Sequence, residues 1–268
     1  MSDLLMLSFF RNALMVSVLL SLMFGMLSFF AVNRKMAFLG AGIAHTAFGG
    51  VALGVFLGIQ PLFVTLVFCI AAAVAIGKLV RHGNISMDVS IGIFFSFSMA
   101  IGVLLITLKK AYTFDLAGYL FGNILAVSTF DLAVVSVCAV IFILFILIHF
   151  SKLIFMTFDE PVAQICGVSV RRLDTLLLVS LAAIIVVSIK VVGIILASAL
   201  VVLPASFGML WFKTYRRVIA ASMLFALFCM TGGIFLSYYL NAPAGATIVT
   251  LGSVTYFTGF FIKQIGSK

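Results

Sequence analysis

Residues 36–58 read MAFLGAGIAHTAFGGVALGVFLG, and this stretch decides the class of fold. It is small, apolar and long enough to cross a bilayer, because about 20 helical residues span the hydrocarbon core. His45 lies near its middle, about 12 Å along from Ala37 at a rise of about 1.5 Å per residue. An ionisable side chain at that depth is expected to find a partner, line a wet cavity or bind a passing ligand. We interpret His45 as a functional residue, with a hydrogen-bonded structural histidine as the alternative.

The composition extends this pattern to the whole chain of 268 residues. Hydrophobic residues make up 65% and charged residues only 9%, whereas soluble domains carry about 25% charged residues. Apolar segments occur at roughly 5–31, 37–58, 62–80, 88–108, 130–150, 173–189, 191–212, 218–240 and 245–262. The sequence predicts an all-α polytopic membrane protein, a single transmembrane domain over 1–268 with about eight or nine membrane-spanning helices and short loops.

The basic residues are distributed as topology signals rather than as a nucleic-acid surface. The net charge is +9, but Lys and Arg occur as short clusters at the ends of apolar segments. If nine segments span and the loop holding Arg34 is cytoplasmic, twelve Lys and Arg lie inside and four outside. This asymmetry follows the positive-inside rule and predicts an outer N-terminus and an inner C-terminus. No nucleic-acid partner is expected.

Small residues and one proline suggest how the helices pack. Gly50, Gly54 and Gly58 recur every fourth residue, so one face of the His45 helix is predicted to allow close approach of its neighbours. Pro204 falls inside a later span and is predicted to kink it.

Lys190 divides a continuous apolar stretch that is too long for one span. A tight outer hairpin at Lys190–Gly193 is the simplest solution. The alternative is a lysine within the membrane with a counter-ion, but no acidic residue lies nearby in the sequence.

Two connections between apolar segments are longer than a turn. The outer one, residues 109–129, carries Asp115, Tyr119 and Asn123 on one helical face. We expect a short extracytoplasmic helix there, with Asp115 and Asn123 as possible metal contacts at an outer mouth.

The inner connection, residues 151–174, contains a short helix with clear end signals. Asp159 suits the N-cap and Gly167 the C-cap. Val162, Ile165 and Cys166 fall on one face between them. The pattern is typical of a cytoplasmic docking element, and a connector lying on the membrane remains the alternative.

Catalytic patterns are missing from the sequence. It contains no Walker A run, no GxSxG, no HExxH and only seven acidic residues. We predict no catalytic residue and no ATP hydrolysis by this chain. Asp88 and Asp131 are interpreted as helix caps, and His82 and His149 as structural residues at span ends.

Five segments in order resemble one family, the permease subunits of bacterial and archaeal ABC importers for zinc and manganese. The first match consists of a basic turn, a run of small residues, and His45 followed by glycines. The others are the Asp88 segment, DLAGYLFGN from Asp115, the Asp159–Val168 loop, and KVVG through LPA from Lys190 to Ala205. Together they cover nearly the whole chain.

This resemblance implies a fold, a location and partners. The fold is that of a type II ABC importer-like permease in the bacterial or archaeal plasma membrane, surrounded by lipid. A second copy of the chain, two cytoplasmic ATP-binding subunits and an extracytoplasmic metal-binding protein are implied as partners. The residues implied in coupling to the ATP-binding subunits are Asp159, Glu160, Val162, Ala163, Ile165 and Gly167. Zinc, manganese or iron is implied as the transported substrate, and no permanently bound cofactor is expected.

Two positions depart from the family pattern. Many members carry Asp four residues before the histidine, where this chain has Ala41, and some carry a second His at the position of Ser96. Imidazole suits zinc, so the missing carboxylate favours zinc over manganese and makes His45 a transient contact rather than a tight site. A permease for an iron chelate or cobalamin, and an ion-coupled secondary transporter working alone, remain the alternatives.

Overall fold

The computed structural model describes residues 8–83, 85–109, 122, 124 and 127–266, and no β-strand occurs in these ranges. They form the helices α1 (Ser8–Asn33), α2 (Ala37–Leu57), α3 (Pro61–His82), α4 (Met87–Lys109), α5 (Thr129–Phe158), α6 (Glu160–Ile165), α7 (Val170–Trp211), α8 (Tyr215–Leu240) and α9 (Ala244–Gly266). All of these except α6 are long and apolar enough to cross a membrane. The predicted all-α polytopic fold is confirmed.

Helix α7 is long enough for two crossings. Its 42 residues would extend about 63 Å at about 1.5 Å per residue, roughly twice the hydrocarbon thickness. Its non-helical backbone lies at Gly193, with φ 80° and ψ 170°, a conformation that essentially only glycine adopts. The break therefore lies within the predicted hairpin Lys190–Gly193, at Gly193 itself, and Lys190 is still part of the helix. The dihedrals around Pro204 are helical, and the kink at Pro204 stays a prediction.

Helix α5 extends further than the sequence indicates. The predicted inner connection begins at Ser151, but α5 continues to Phe158 and α7 starts at Val170. Leu153 and Met156 are fully buried in this extension, so packing stabilises it. The apolar run ends near Lys152, but the helix continues, because lysine is a good helix former.

The chain forms two compact units. The first contains the described residues of Met1–Ala37, Asp115–Ala139 and Ser188–Lys268. Here α8 packs against α1 and α9. Phe10 meets Phe235 edge-on at 5.3 Å, and Phe207 stacks on Phe225 at 4.3 Å. Aromatic pairs and close helix contacts thus form this core.

The second unit comprises the described residues of Phe38–Phe114 and Val140–Val187. Within it α2 is packed on two sides. A Cβ added to Gly50 would lie 2.8 Å from Thr65 Cα on α3. A Cβ added to Gly49 would lie 2.6 Å from the Ser98 carbonyl oxygen on α4. Both neighbours approach α2 at backbone distance, as small-residue faces allow.

The predicted packing face holds for only part of its length. Gly54, like Gly50, lies against α3, where an added Cβ would be 2.8 Å from Pro61 Cα. Gly58 instead ends α2: its φ is +70°, it is exposed, and no atom lies within 4 Å of an added Cβ. The Ile59 amide donates to the Gly54 carbonyl at 3.1 Å, as in a helix C-cap with a left-handed glycine.

Candidate functional site

His45 is held by its own helix and by one aromatic neighbour. The ring is half-buried. Its Nδ1 lies 2.8 Å from the Ala41 carbonyl oxygen. The ring meets Phe95 of α4 edge-on, with centroids 5.1 Å apart and planes at 85°. Two contacts on different helices therefore fix the orientation of the imidazole.

The Nδ1 contact determines which ring nitrogen can bind a ligand. A carbonyl oxygen only accepts, so Nδ1 carries the proton and donates to Ala41. In the neutral ring Nε2 then presents its lone pair. A backbone carbonyl holding the other ring nitrogen is also the usual arrangement around metal-binding histidines. His45 is thus oriented to offer Nε2 as a single donor.

His45 belongs to no cluster of three or more metal-ligating side chains among the described residues. No group of three or more His, Cys, Asp or Glu side chains that could hold a metal ion occurs in this part of the chain. Ala41 supplies only its carbonyl, which is already bonded to Nδ1. Ser96 is exposed, and its neighbour Phe95 makes the contact with the imidazole.

Buried hydroxyl groups occur on α2 and α4, the helices that carry His45 and its neighbour Phe95. Thr46 Oγ1 on α2 and Ser90 Oγ and Ser98 Oγ on α4 are buried, with no hydrogen-bond partner in the described part of the chain. An unsatisfied buried hydroxyl costs about 1–3 kcal/mol. Sequence reasoning missed these groups because serine and threonine in a helix usually bond the carbonyl four residues back.

The predicted outer mouth lies largely beyond what the structure describes. Asp115 and Asn123, with Tyr119, fall outside the described residues, so their roles remain predictions. Gly122 is described: its φ is +65°, and an added Cβ would lie 2.3 Å from the Gly193 amide nitrogen. Gly122 therefore lies directly against the break in α7.

Asp131 has two functions at the start of α5. Its carboxylate accepts from the Ser128 amide at 3.2 Å and from the Ser128 hydroxyl at 2.7 Å, and the Asp131 amide donates back to Ser128 Oγ at 3.2 Å. This capping box confirms the predicted cap. The same carboxylate also accepts from Lys190 Nζ at 2.5 Å. Lys190 thus has an acidic partner in space, although none lies nearby in the sequence.

The α6 segment, which consists of helix α6 with its flanking residues (Asp159–Val168), has the N-cap and C-cap that the sequence predicts. Asp159 Oδ1 accepts from the Val162 amide at 3.1 Å. Gly167 has φ +82°, and the Val168 amide donates to the Ala163 carbonyl at 2.9 Å. Together they form an N-cap and a Schellman-type C-terminus.

The apolar side chains of α6 are partly buried and partly exposed. Ala163 is fully buried and anchors the helix, whereas Ile165 is 85% exposed and Val162 42%. Glu160 and Cys166 are also exposed. An exposed branched side chain on a rigid, capped turn is available for contact with another protein.

Arg81, at the end of α3, binds the start of α7. Its Nη1 donates to the Arg171 carbonyl at 3.0 Å, and both Nη1 and Nη2 lie 3.0 Å from Thr175 Oγ1. Nε donates to the Gly77 carbonyl at 2.8 Å. This network between α3 and α7 has no signature in the sequence, because Arg81 and its α7 partners lie about ninety positions apart.

The comparison with family models matches nearly the whole chain. The model of the ABC 3 transport family covers residues 6–263. The chain belongs to the ABC 3 transport family. It is accordingly a multi-pass protein of the cell membrane, and the resemblance to zinc and manganese importer permeases inferred from the motifs is confirmed.

Relatives within the ABC 3 transport family are named for two different metals. The chain is 32% identical to the manganese import system permease protein ScaB of Streptococcus gordonii, over 95% of this chain and 91% of that protein. It is 29% identical to the high-affinity zinc uptake system membrane protein ZnuB of Haemophilus influenzae, over 94% and 97% of the two chains. Relatives of this chain are thus named for both manganese and zinc transport.

A solved structure supports the fold of this ABC 3 transport family member. PsaBC from Streptococcus pneumoniae in complex with Fab contains a chain similar at a TM-score of 0.85 and 32% identity. The match covers 97% of this chain and 94% of that one. The ABC permease fold predicted from the sequence is confirmed.

Proposed function

We propose that this chain is the membrane-spanning permease subunit of an ATP-driven importer of divalent transition metal ions, with zinc as the principal substrate. Family membership supports an ABC importer. The choice of zinc rests on one observation, the orientation of His45, which leaves imidazole Nε2 as the nitrogen available to an ion, with no carboxylate at Ala41. Imidazole suits zinc, whereas manganese prefers carboxylate and other oxygen ligands.

A single nitrogen donor also suits a site on a transport path better than a site that retains its ion. A site on a transport path must bind weakly enough to release its ion. His45 Nε2 therefore acts as one transient contact for the zinc ion. Asp115 and Asn123 contribute oxygen atoms at the outer mouth.

The chain works with partners that supply energy and substrate. Two cytoplasmic ATP-binding subunits hydrolyse ATP and dock on the α6 segment through Val162 and Ile165, whose exposure supports this contact. Ala163 and the end structures at Asp159 and Gly167 keep the segment rigid. A second copy of the chain completes the membrane part, and an extracytoplasmic metal-binding protein delivers the ion.

The test is ion uptake by the complex of permease and ATP-binding subunits in vesicles, with zinc, manganese and iron in competition. We expect zinc to be taken up preferentially and His45→Ala to reduce zinc uptake. His149→Ala is the matched control, because His149 is half-buried and its Nδ1 also lies near the carbonyl four residues back, 3.1 Å from Phe145.

Two results would contradict parts of this proposal. Preferential manganese uptake, or zinc uptake unchanged by His45→Ala, would remove the zinc assignment or the role of His45. Uptake that continues with an ATP-binding subunit unable to hydrolyse ATP would indicate a secondary transporter instead.

A further inference from the structure

Arg81 forms a forked contact between two helices of the second unit. Its guanidinium reaches a backbone carbonyl at Arg171 and a side-chain hydroxyl at Thr175, one turn apart on α7, all at 3.0 Å. The Thr175 hydroxyl is in turn oriented by the Arg171 carbonyl, to which it donates at 2.9 Å. Such a planar fork fixes direction as well as distance, which a lysine cannot do.

The two helix ends are also packed tightly beside this fork. Gly77, one turn before Arg81, is buried, and an added Cβ would lie 2.6 Å from Leu178 Cδ1. Leu178 is itself 2% exposed. The end of α3 and the first three turns of α7 therefore form one joint, held by apolar packing inside and by the exposed Arg81 contacts at its edge.

This joint lies immediately after the α6 segment. Only residues 166–169 separate α6 from α7, and they are ordered by the Val168 amide bonded to the Ala163 carbonyl at 2.9 Å. Arg171 lies in the first turn of α7. A displacement of α6 is therefore passed to the residues that Arg81 holds, with no flexible connection between them.

The other end of α3 contacts the helix that carries His45. Thr65 and Pro61 meet Gly50 and Gly54 at backbone distance. Because α3 is a continuous helix from Pro61 to His82, motion at Arg81 is carried to the α2 contact by a rigid element. All of these contacts lie within the second unit.

We propose that Arg81 is the positioning residue that transmits movement of the α6 segment to the His45 helix through α3. The inference rests on the proposed importer function. Arg81 touches neither the ion nor ATP, and its role is to keep the end of α3 attached to the start of α7 while α6 moves with the ATP-binding subunits.

The experiment compares ions moved per ATP hydrolysed by the purified complex of permease and ATP-binding subunits in vesicles, with zinc as the ion. The variants are Arg81→Lys, which keeps the charge and loses the fork, and Thr175→Val, which loses the hydroxyl and keeps the shape. Thr175→Ser keeps the hydroxyl and is the conservative control. Arg172→Lys, at an exposed position outside this network, controls for the general effect of replacing an arginine with a lysine.

We expect Arg81→Lys and Thr175→Val to lower the ratio of zinc to ATP roughly tenfold, the factor that corresponds to one lost charge-assisted hydrogen bond. Thr175→Ser and Arg172→Lys keep the wild-type ratio. Basal ATP hydrolysis and co-purification of the ATP-binding subunits remain unchanged in all four variants.

Three outcomes would overturn the inference. One is a wild-type ratio in both Arg81→Lys and Thr175→Val. Another is loss of co-purification in Arg81→Lys, because Arg81 would then be a docking contact for the ATP-binding subunit. The third is an equal fall in transport, ATP hydrolysis and thermal stability, which would make the fork merely structural. Failure of the proposed function is recognised separately: vesicles with the wild-type complex would then show no ATP-dependent uptake of any metal.

Discussion

Asp131 and Lys190 form an ion pair of 2.5 Å that joins the first turn of α5 to the last turn of α7 before its break at Gly193. The carboxylate is 11% exposed and the lysine side chain 54%. Asp131 therefore depends on this partner and on Ser128 for compensation of its charge. The pair also indicates that Lys190 lies at the level of the α5 N-terminus, as the nine-segment topology predicts.

Lys190→Met is expected to destabilise the permease by about 1–2 kcal/mol, because it leaves the Asp131 carboxylate without its cation. Asp131→Asn should cost less, since the amide oxygen still accepts from Ser128. Unfolding of the purified protein in detergent measures both. If the double variant loses as much stability as the sum of the single variants, the pair is not coupled and this prediction is wrong.

Gly193→Ala is expected to destabilise the protein by about 1–3 kcal/mol, because φ 80° with ψ 170° is strained for any residue with a Cβ. Gly92→Ala is the matched control: Gly92 lies inside α4 with no atom within 4 Å of an added Cβ. Thermal unfolding in detergent compares the two. Equal stability of Gly193→Ala and wild type would mean that the break in α7 lies elsewhere.

Gly50→Ala is expected to separate α2 from α3 and to cost about 1–3 kcal/mol through overpacking. The added methyl group would lie 2.8 Å from Thr65 Cα, and a backbone atom cannot move aside as a flexible side chain can. Zinc uptake should fall together with stability, because the same helix holds His45. Normal stability with normal uptake would show that the contact is looser than described.

Ile165→Asp is expected to release the ATP-binding subunits while leaving the permease itself intact. Ile165 is 85% exposed, so its replacement removes little packing within the chain. Co-purification from membranes and the melting temperature of the permease alone are the two measurements. Ala163→Leu is the contrasting variant, because Ala163 is fully buried and a larger side chain there should lower the melting temperature. Retained co-purification in Ile165→Asp would exclude Ile165 as a docking contact.

The spans and their order could be predicted from the sequence because the bilayer imposes a length and a polarity on each helix. The capped α6 segment was equally predictable, since caps depend on residues three to five positions apart. The end of α5 was not, because Ser151 and Lys152 mark a boundary of polarity while the helix continues on buried Leu153 and Met156.

The contacts that join helices could not be predicted in the same way. Lys190 and Asp131 lie 59 positions apart, and Arg81 and Thr175 lie 94 apart. A single sequence carries no periodicity for such pairs. His45 could be identified from the sequence because an ionisable side chain is energetically costly within a membrane. That Nε2 is its free nitrogen follows only from the position of the Ala41 carbonyl in the structure. Gly42 and Gly49, which face α4, were missed because the repeat from Gly50 to Gly58 on the other face has a more regular spacing.

The glycines on two faces of α2 have a mechanical consequence. Where side chains separate two helices, a change of rotamer can absorb part of a displacement, whereas glycine leaves nothing between the backbones. At Gly49 and Gly50 the neighbouring backbones rest almost directly on that of α2. A displacement of α3 towards α2 therefore moves α2 as well, because closely packed interiors transmit strain. The bond from His45 to Ala41 lies wholly within α2, so the imidazole moves with its helix.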